Sequence, residues 1–484
     1  SSLQPFQSML VVTQRLIILI KSLWLAAVSS DDQCLAASDG ACGQEFALPE
    51  IARLPWDVAN WDATKELMSK GQAMVLTGLS TQHLPALSKW RWGAPEFLSM
   101  LTPTMPMKVN RHSNVFIHWD DRQGPFMCKS FEKEPFARWA LEPVPLHDVF
   151  AAEANNTGGE VKHMYFSGDH FPKQLQLDLE SGQPLLCGWN CKFVSHQLWL
   201  SSSGVVAQAH YDLTDNLFVQ IDGQKRFVVF PPGVLQDLHL YPTSIHPSGR
   251  QSQVIDLETI FSSSLSDAVV VNQTALNKTA MRYPRVRAAV DKAFTALLNP
   301  GDTLFLPASW GHLVFAFGGS ISYNVWSQSK QDDFREQVGP AVSAALNQML
   351  NPQWSKPGMI ATARIFLFKV AQALGHKGFA QKHFESRYRP LFQHEGIDWP
   401  LNRATFCARY PGEKSIAREA SKNVANVFER LSADDVVNEL ADMHDMILSW
   451  MLQFRFLDPD VRLQASSDSV QFMRSLFTCS ANKK

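Results

Sequence analysis

Residues 207–232, "AQAHYDLTDNLFVQIDGQKRFVVFPP", open on His210-Tyr-Asp212 and close on two prolines after an apolar run. Residues i and i+2 of a strand face the same side, so one strand end can present an imidazole and a carboxylate to a common point. Lys225 follows Asp222-Gly223, which reads as a turn that sets the lysine on the next strand. A lysine held deep in an apolar sheet is costly without a negative partner, and a bound dianion is a natural one.

By itself a His-x-Asp/Glu spacing says little, because a chain with 15 His and 46 acidic residues produces one or two by chance. This chain has three, at His118/Asp120, His210/Asp212 and His383/Glu385. A non-haem Fe(II) centre needs a second imidazole to complete one face of the metal, leaving positions open for cosubstrate and oxygen. The stretch 299–327, "NPGDTLFLPASWGHLVFAFGGSISYNVWS", supplies it. Gly301-Asp302 makes a tight turn, "TLFLP" is a strand, and His312 stands where the chain re-enters the sheet. Only the His210 pair is followed by such a segment and by a suitably placed lysine. His118 precedes two aspartates and an Arg-Gln-Gly turn, which suits a surface or hairpin role. His383 and Glu385 fall in an expected helix, where i and i+2 point apart, so they read as a surface face.

Bulk composition sets the class. The chain has 484 residues, 45% hydrophobic and 19% charged, which is globular rather than disordered. Fourteen Trp and thirty-one Phe favour a large aromatic core. A net charge of −2 supplies no global basic field, so no nucleic-acid partner is expected. The seven cysteines (Cys34, Cys42, Cys128, Cys187, Cys191, Cys407, Cys479) are odd in number and lack a CxxC…CxxC zinc pattern. Cys34/Cys42 and Cys187/Cys191 can be disulfides or buried thiols.

Residues 9–30, "MLVVTQRLIILIKSLWLAAVSS", look like a secretory signal or anchor within segment 1–30, interrupted by Lys21. That favours the endoplasmic reticulum lumen or secretion, with a cytoplasmic or nuclear place as the alternative. A membrane is a partner only if 9–28 stays as an uncleaved anchor. Residues 31–60 read as a linker and 61–330 as a strand-rich domain, with a polar helical or loop insertion at 256–300. Residues 331–484 read as a helical domain, because Val436, Val437, Leu440, Met443, Ile447, Trp450 and Phe454 recur at helical spacing. Ser432 with Asp435 looks like the cap of that helix.

The strings "AHYD", Asn216, "QIDGQKRFVVFPP", "LYPTSIHPSGRQSQV", "GDTLFLPASWGH" and "SYNVW" together resemble the Jumonji C (cupin-like) family of Fe(II)- and 2-oxoglutarate-dependent oxygenases over about 65–330. Within it they are most similar to the asparaginyl hydroxylase that inhibits hypoxia-inducible factor. The resemblance implies a mainly β fold, a double-stranded β-helix (jelly-roll) core, followed here by a mostly helical C-terminal domain. It implies His210, Asp212 and His312 as iron ligands, with 2-oxoglutarate and O2 as cosubstrates. Lys225, and less firmly Tyr165, match residues that hold the far carboxylate of 2-oxoglutarate, and Asn216 and Asn324 match amides lining its pocket. Arg250 and Gln251 match side chains that hold the target residue, and Trp326 matches an aromatic wall. Ala207 stands where the relative has a threonine that touches the cosubstrate, a loss of one hydrogen bond worth about 0.5–1.5 kcal/mol. The expected reaction is hydroxylation of a protein or peptide side chain, Asn or Asp at the β-carbon, releasing succinate and CO2. The relative pairs through C-terminal helices, so a homodimer is implied. Histone lysine demethylation and a non-catalytic cupin-like scaffold are the alternatives.

Overall fold

The computed structural model describes residues 46–56, 61–100, 104–111, 113–117, 140–145, 162–168, 173–180, 192–243, 248–261, 268–350, 356–388, 411–430 and 436–454. The apolar segment 9–28, His118 to Asp120, the Ser432/Asp435 cap and all seven cysteines lie outside them. Among the described residues, no helix is long and apolar enough to cross a membrane.

The strands are β1 (Arg53–Pro55), β2 (Met74–Thr77), β3 (Thr104–Asn110), β4 (Val115–Phe116), β5 (Ala140–Pro145) and β6 (His163–Gly168). They continue with β7 (Phe193–Ser201), β8 (Val206–Tyr211), β9 (Asp215–Phe230), β10 (Phe294–Leu298), β11 (Thr303–Leu306) and β12 (Gly311–Ser327). Their order is β1-β2-β11-β9-β12-β7-β6-β3-β5, with β10 added on β9 and β8 lying between β12 and β4. Two long strands organise the rest. β9 pairs with β11 through its first half and with β10 through its second. β12 pairs with β8 at its start and with β7 at its end. Each long strand thus serves both halves of the β-rich, cupin-like core that was expected, and helices follow it.

Asp222-Gly223 is not a turn between strands. β9 runs unbroken through it, because β12 kinks at the same level and pairing resumes on the far side. Gly223 takes a left-handed backbone (φ 69°), and an added Cβ there would lie 2.3 Å from the Gly319 carbonyl oxygen. Only glycine satisfies both the torsion and the close approach. Lys225 is therefore on the same strand as Asn216, beyond the bend.

Two further expectations are corrected. Residues 53–55, read as linker, form β1 parallel to β2, and Arg53 bonds Asp302 at 2.6 Å. Residues 294–298, read as part of an insertion, form β10, while helices at 273–282 and 286–290 fit that reading. In both cases a short segment gains backbone partners only once the distant β2 or β9 is in place.

Helices follow the sheet: α1 (Lys330–Met349), α2 (Lys356–Ala373), α3 (Phe379–His383), α4 (Pro411–Arg430) and α5 (Val436–Phe454). A reciprocal capping box between Ser329 and Asp332 starts α1 directly after β12. The helices bury their own cluster, including Phe334, Phe366, Phe428, Leu440 and Ile447. His383 was expected on a surface face and is instead fully buried, against Asp445, His444 and Tyr388. Glu385 is exposed, so the pair does point apart as expected, and only the burial of His383 departs from the expectation.

Candidate active site

β8 ends on His210 and Tyr211, and β12 begins on Gly311 and His312, paired so that His210 stands opposite His312. Their ring centroids are 4.2 Å apart. Each ring is aimed by its own backbone. His210 Nδ1 lies 2.7 Å from the Gln208 carbonyl, and His312 Nδ1 lies 3.1 Å from that of Trp310. A carbonyl only accepts, so each Nδ1 carries a proton and each Nε2 is the ring atom left free of that hydrogen bond. Burial, then the neighbouring His312, pushes the His210 pKa down to about 3, which keeps that ring neutral.

Asp212 follows one residue after β8. Its carbonyl accepts from the Ser309 amide at 2.9 Å, and Ser309 adopts a left-handed backbone (φ 67°) just before β12. This strained turn ties the Asp212 loop to the His312 loop. Asp212 Oδ2 accepts from Trp326 Nε1 at 3.0 Å and Asn216 Nδ2 at 3.1 Å. The chain of donors continues outward: Asn324 Nδ2 to Asn216 Oδ1 at 3.0 Å, then Trp199 Nε1 to Asn324 Oδ1 at 2.7 Å. Every amide and indole in this relay points its proton toward the carboxylate. Burial works against the charged form of Asp212, yet His312, His210 and the Trp326 N–H hold its carboxyl below the usual range. The ligand atoms of His210, Asp212 and His312 do not all fall within 4.8 Å of one another. The carboxylate is turned toward Asn216 and Trp326.

Lys225 lies on the same face of β9 as Phe227 and Val229, and Val229 stands opposite His312. The lysine is 2% exposed, its ammonium 5.2 Å from the centroid of the Phe218 ring. Burial alone lowers its pKa to about 7, since no neighbouring carboxylate offsets the desolvation. Tyr165 stacks on Trp199 and packs on Phe116 along the wall of the same chamber. Burial and the charge of Asp212 hold its phenol well above its ordinary value.

Arg250 and Gln251 sit beside the imidazole strand. Gln251 forms a bridge with His210, and the Ser252 amide donates to the Ala209 carbonyl at 2.7 Å. Arg250 takes a left-handed backbone (φ 71°) and its charge bears on both His210 and Asp212. Residues 244–247 of this loop are outside the described set. The structure thus links Asp212 to Asn216, Asn324 and Trp326, and sets His210 against His312. It places Tyr165 on Trp199 and brings Gln251 beside His210, with Lys225 reached through Phe218 and Phe227. Trp326 was expected as a wall and also bonds the carboxylate. Trp199 was missed from sequence, because a Trp in an alternating strand looks like ordinary core. Also missed were Asp442 and Glu439 of α5, whose acidic side chains ordinarily mark a helix's solvent face.

Known proteins match this region. The chain is 29% identical over 292 residues to tRNA wybutosine-synthesizing protein 5 of Homo sapiens, covering 59% of this chain and 78% of the relative. It is 30% identical over 307 residues to Jumonji C domain-containing protein 5 of Drosophila melanogaster (60% and 65%). It is 26% identical over 264 residues to the Homo sapiens bifunctional peptidase and (3S)-lysyl hydroxylase JMJD7 (52% and 76%). Jumonji C proteins are typically 2-oxoglutarate oxygenases that use Fe(II). The cupin-like domain profile matches residues 61–333, more than half of the sequence, and the chain belongs to that family.

Proposed function

We propose that this protein is an Fe(II)- and 2-oxoglutarate-dependent dioxygenase that hydroxylates a protein side chain, with the Asn or Asp β-carbon as its target. The observation that carries the reading is a buried lysine with no countercharge among the described residues, near two backbone-aimed imidazoles and an ionised carboxylate. Two imidazole nitrogens and one carboxylate oxygen suit a ferrous ion and leave coordination positions open. His210, Asp212 and His312 would hold the ion, and Lys225, with Tyr165, would receive the far carboxylate of the cosubstrate. When bound, the ion and cosubstrate supply the oxidising chemistry that turns a C–H into a C–OH as 2-oxoglutarate is decarboxylated.

The chain's own residues do the rest. The relay from Trp199 through Asn324 and Asn216 keeps Asp212 ionised and restricts its rotation. The carbonyls of Gln208 and Trp310 fix both imidazole tautomers, the outer-shell role that orients metal ligands. Phe218 and Phe227 exclude water around the lysine. Arg250 and Gln251, beside His210, would orient the amide or carboxylate of the target residue. Anaerobic addition of Fe(II) and then 2-oxoglutarate should produce a visible charge-transfer band that His312→Ala abolishes. A peptide screen by mass spectrometry should then find a +16 Da product that Arg250→Ala no longer makes. Full activity of Arg250→Ala on that peptide would remove the Asn/Asp assignment.

One observation favours a second reading. The matched Homo sapiens relative is named for tRNA wybutosine synthesis, so a tRNA base belongs in the same screen. Absence of the charge-transfer band in folded, iron-supplied protein would instead favour a non-catalytic scaffold.

A further inference from the structure

Helix α5 carries two buried stripes of opposite chemistry. Leu440, Met443, Ile447 and Met451 pack into the helical core. Glu439, Asp442 and Asp445, at spacings of three, are 3%, 4% and 0% exposed, so this acidic stripe is also covered. Carboxylates are buried only where donors meet them, and here several of the donors belong to the active-site strand end. Asp442 accepts from the Tyr211 hydroxyl and, at 3.0 Å, from Thr243 Oγ1. Glu439 accepts from Arg335 Nε at 2.8 Å and Nη2 at 2.7 Å. The same guanidinium donates from Nη1 to the Leu213 carbonyl at 2.7 Å.

Tyr211 and Leu213 are the two chain neighbours of Asp212. One is held through its hydroxyl and the other through its carbonyl, and both holds end on consecutive turns of α5. Thr243, held by its amide to Asp445 at 2.9 Å, begins the loop that carries Arg250 and Gln251. That loop is closed by the Tyr241 amide on the Gln251 carbonyl at 2.8 Å.

We propose that Asp442 and Glu439 are positioning residues for Asp212, so that α5, outside the cupin-like domain, completes the metal centre by clamping the segment 211–213 from both sides. This rests on the reading of His210, Asp212 and His312 as the metal ligands. Neither acid touches the chamber itself. Asp442 acts through Tyr211 and Glu439 acts through Arg335. Asp445 belongs to the anchor rather than to a second ion site. Its oxygens already face Arg387 Nη1, the Thr243 amide, His383 Nε2 and the Tyr388 hydroxyl, about as many donors as a carboxylate has lone-pair sites.

The test uses full-length protein and Co(II) as a spectroscopic stand-in, read by its visible d–d bands and by titration, with no turnover required. Asp442→Asn, Glu439→Gln and Tyr211→Phe should each fold, by circular dichroism and a cooperative melt, and should each weaken Co(II) binding by about 10-fold or more, with altered band positions. Combining Asp442→Asn with Tyr211→Phe should add little beyond either alone, since the first weakens and the second removes the same Tyr211–Asp442 contact. Wild-type affinity and unchanged bands in both Tyr211→Phe and Glu439→Gln would overturn the clamp. Should Asp442→Asn fail to fold, the Tyr211→Phe result decides the Asp442 arm. His312→Ala separates the two readings. If it binds Co(II) as well as wild type does, the ligand assignment fails and takes the clamp with it. If it loses the metal while the clamp variants do not, only the clamp fails.

Discussion

Two clusters among the described residues are each built on two histidines and an aspartate, and they are put together in opposite ways. Around His210, Asp212 and His312, the imidazoles spend their Nδ1 protons on backbone carbonyls and turn Nε2 inward, while Lys225 waits without a countercharge. Around His383, His444 and Asp445, the ligand atoms lie closer, all within 4.8 Å of one another. There the partners the side chains have are one another, while His383 Nδ1 and His444 Nε2 are buried without a hydrogen bond. His383 Nε2 is 3.1 Å from Asp445 and 3.2 Å from His444 Nδ1, and Arg387 neutralises the carboxylate at 2.7 Å. Proximity of the right residue types therefore does not by itself separate the two clusters. What sets them apart is charge: Arg387 meets the Asp445 carboxylate, whereas Lys225 meets no countercharge among the described residues.

Ways to break this contrast follow from the energetics, the largest first. Asp445→Ala should cost about 3–5 kcal/mol in denaturant unfolding, because it removes the 2.7 Å partner of the buried Arg387 guanidinium and leaves it only Asp442 at 3.5 Å. Asp212→Ala should change stability by about 1 kcal/mol or less while abolishing Co(II) binding. Equal stability losses in the two variants would erase the distinction. Lys225→Met should weaken 2-oxoglutarate binding by about 2–3 kcal/mol, read by calorimetry, and stabilise the ligand-free protein by removing an uncompensated buried ammonium.

The same lysine gives a pH signature. Its folded pKa of about 7 is below the ordinary 10.5, so the unfolded chain binds its proton more tightly. Its contribution to ligand-free stability should rise with pH between about 7 and 10.5 and be flat below 7. Cosubstrate affinity should move oppositely, because the dianion needs the ammonium. Above about pH 7 it should fall by up to tenfold per unit, and Lys225→Met should flatten both profiles. The smallest effect is expected at Trp326→Phe. It removes one N–H from Asp212 and should weaken Co(II) binding by about 0.5–1.5 kcal/mol without changing the melting midpoint appreciably.

Much of the chamber was legible beforehand because strand periodicity is local. His210 and Asp212 share a face by being two residues apart, and the turn at Gly301 announces the strand that leads to His312. Lys225 was picked out for the right neighbours, although the bend at Gly223 was mistaken for a turn. A glycine with positive φ serves either purpose, and only the paired kink in β12 decides between them. His383 was misjudged for a comparable reason. The pair does point apart and Glu385 is exposed, but the arrival of α5 encloses the His383 ring.

The sequence by itself determined many of the periodic elements and the family, and it named the candidates for ligation and anchoring, since these depend on spacing along the chain and on side-chain chemistry. The tertiary structure alone decided which groups are committed and which are left open. Asp442 and Glu439 lie more than 200 residues from Tyr211 and Leu213, and their buried stripe reads as a solvated helix face until the fold sets the active-site strand against it. Burial and partnership are properties of packing, and packing is settled by contacts between distant parts of the chain.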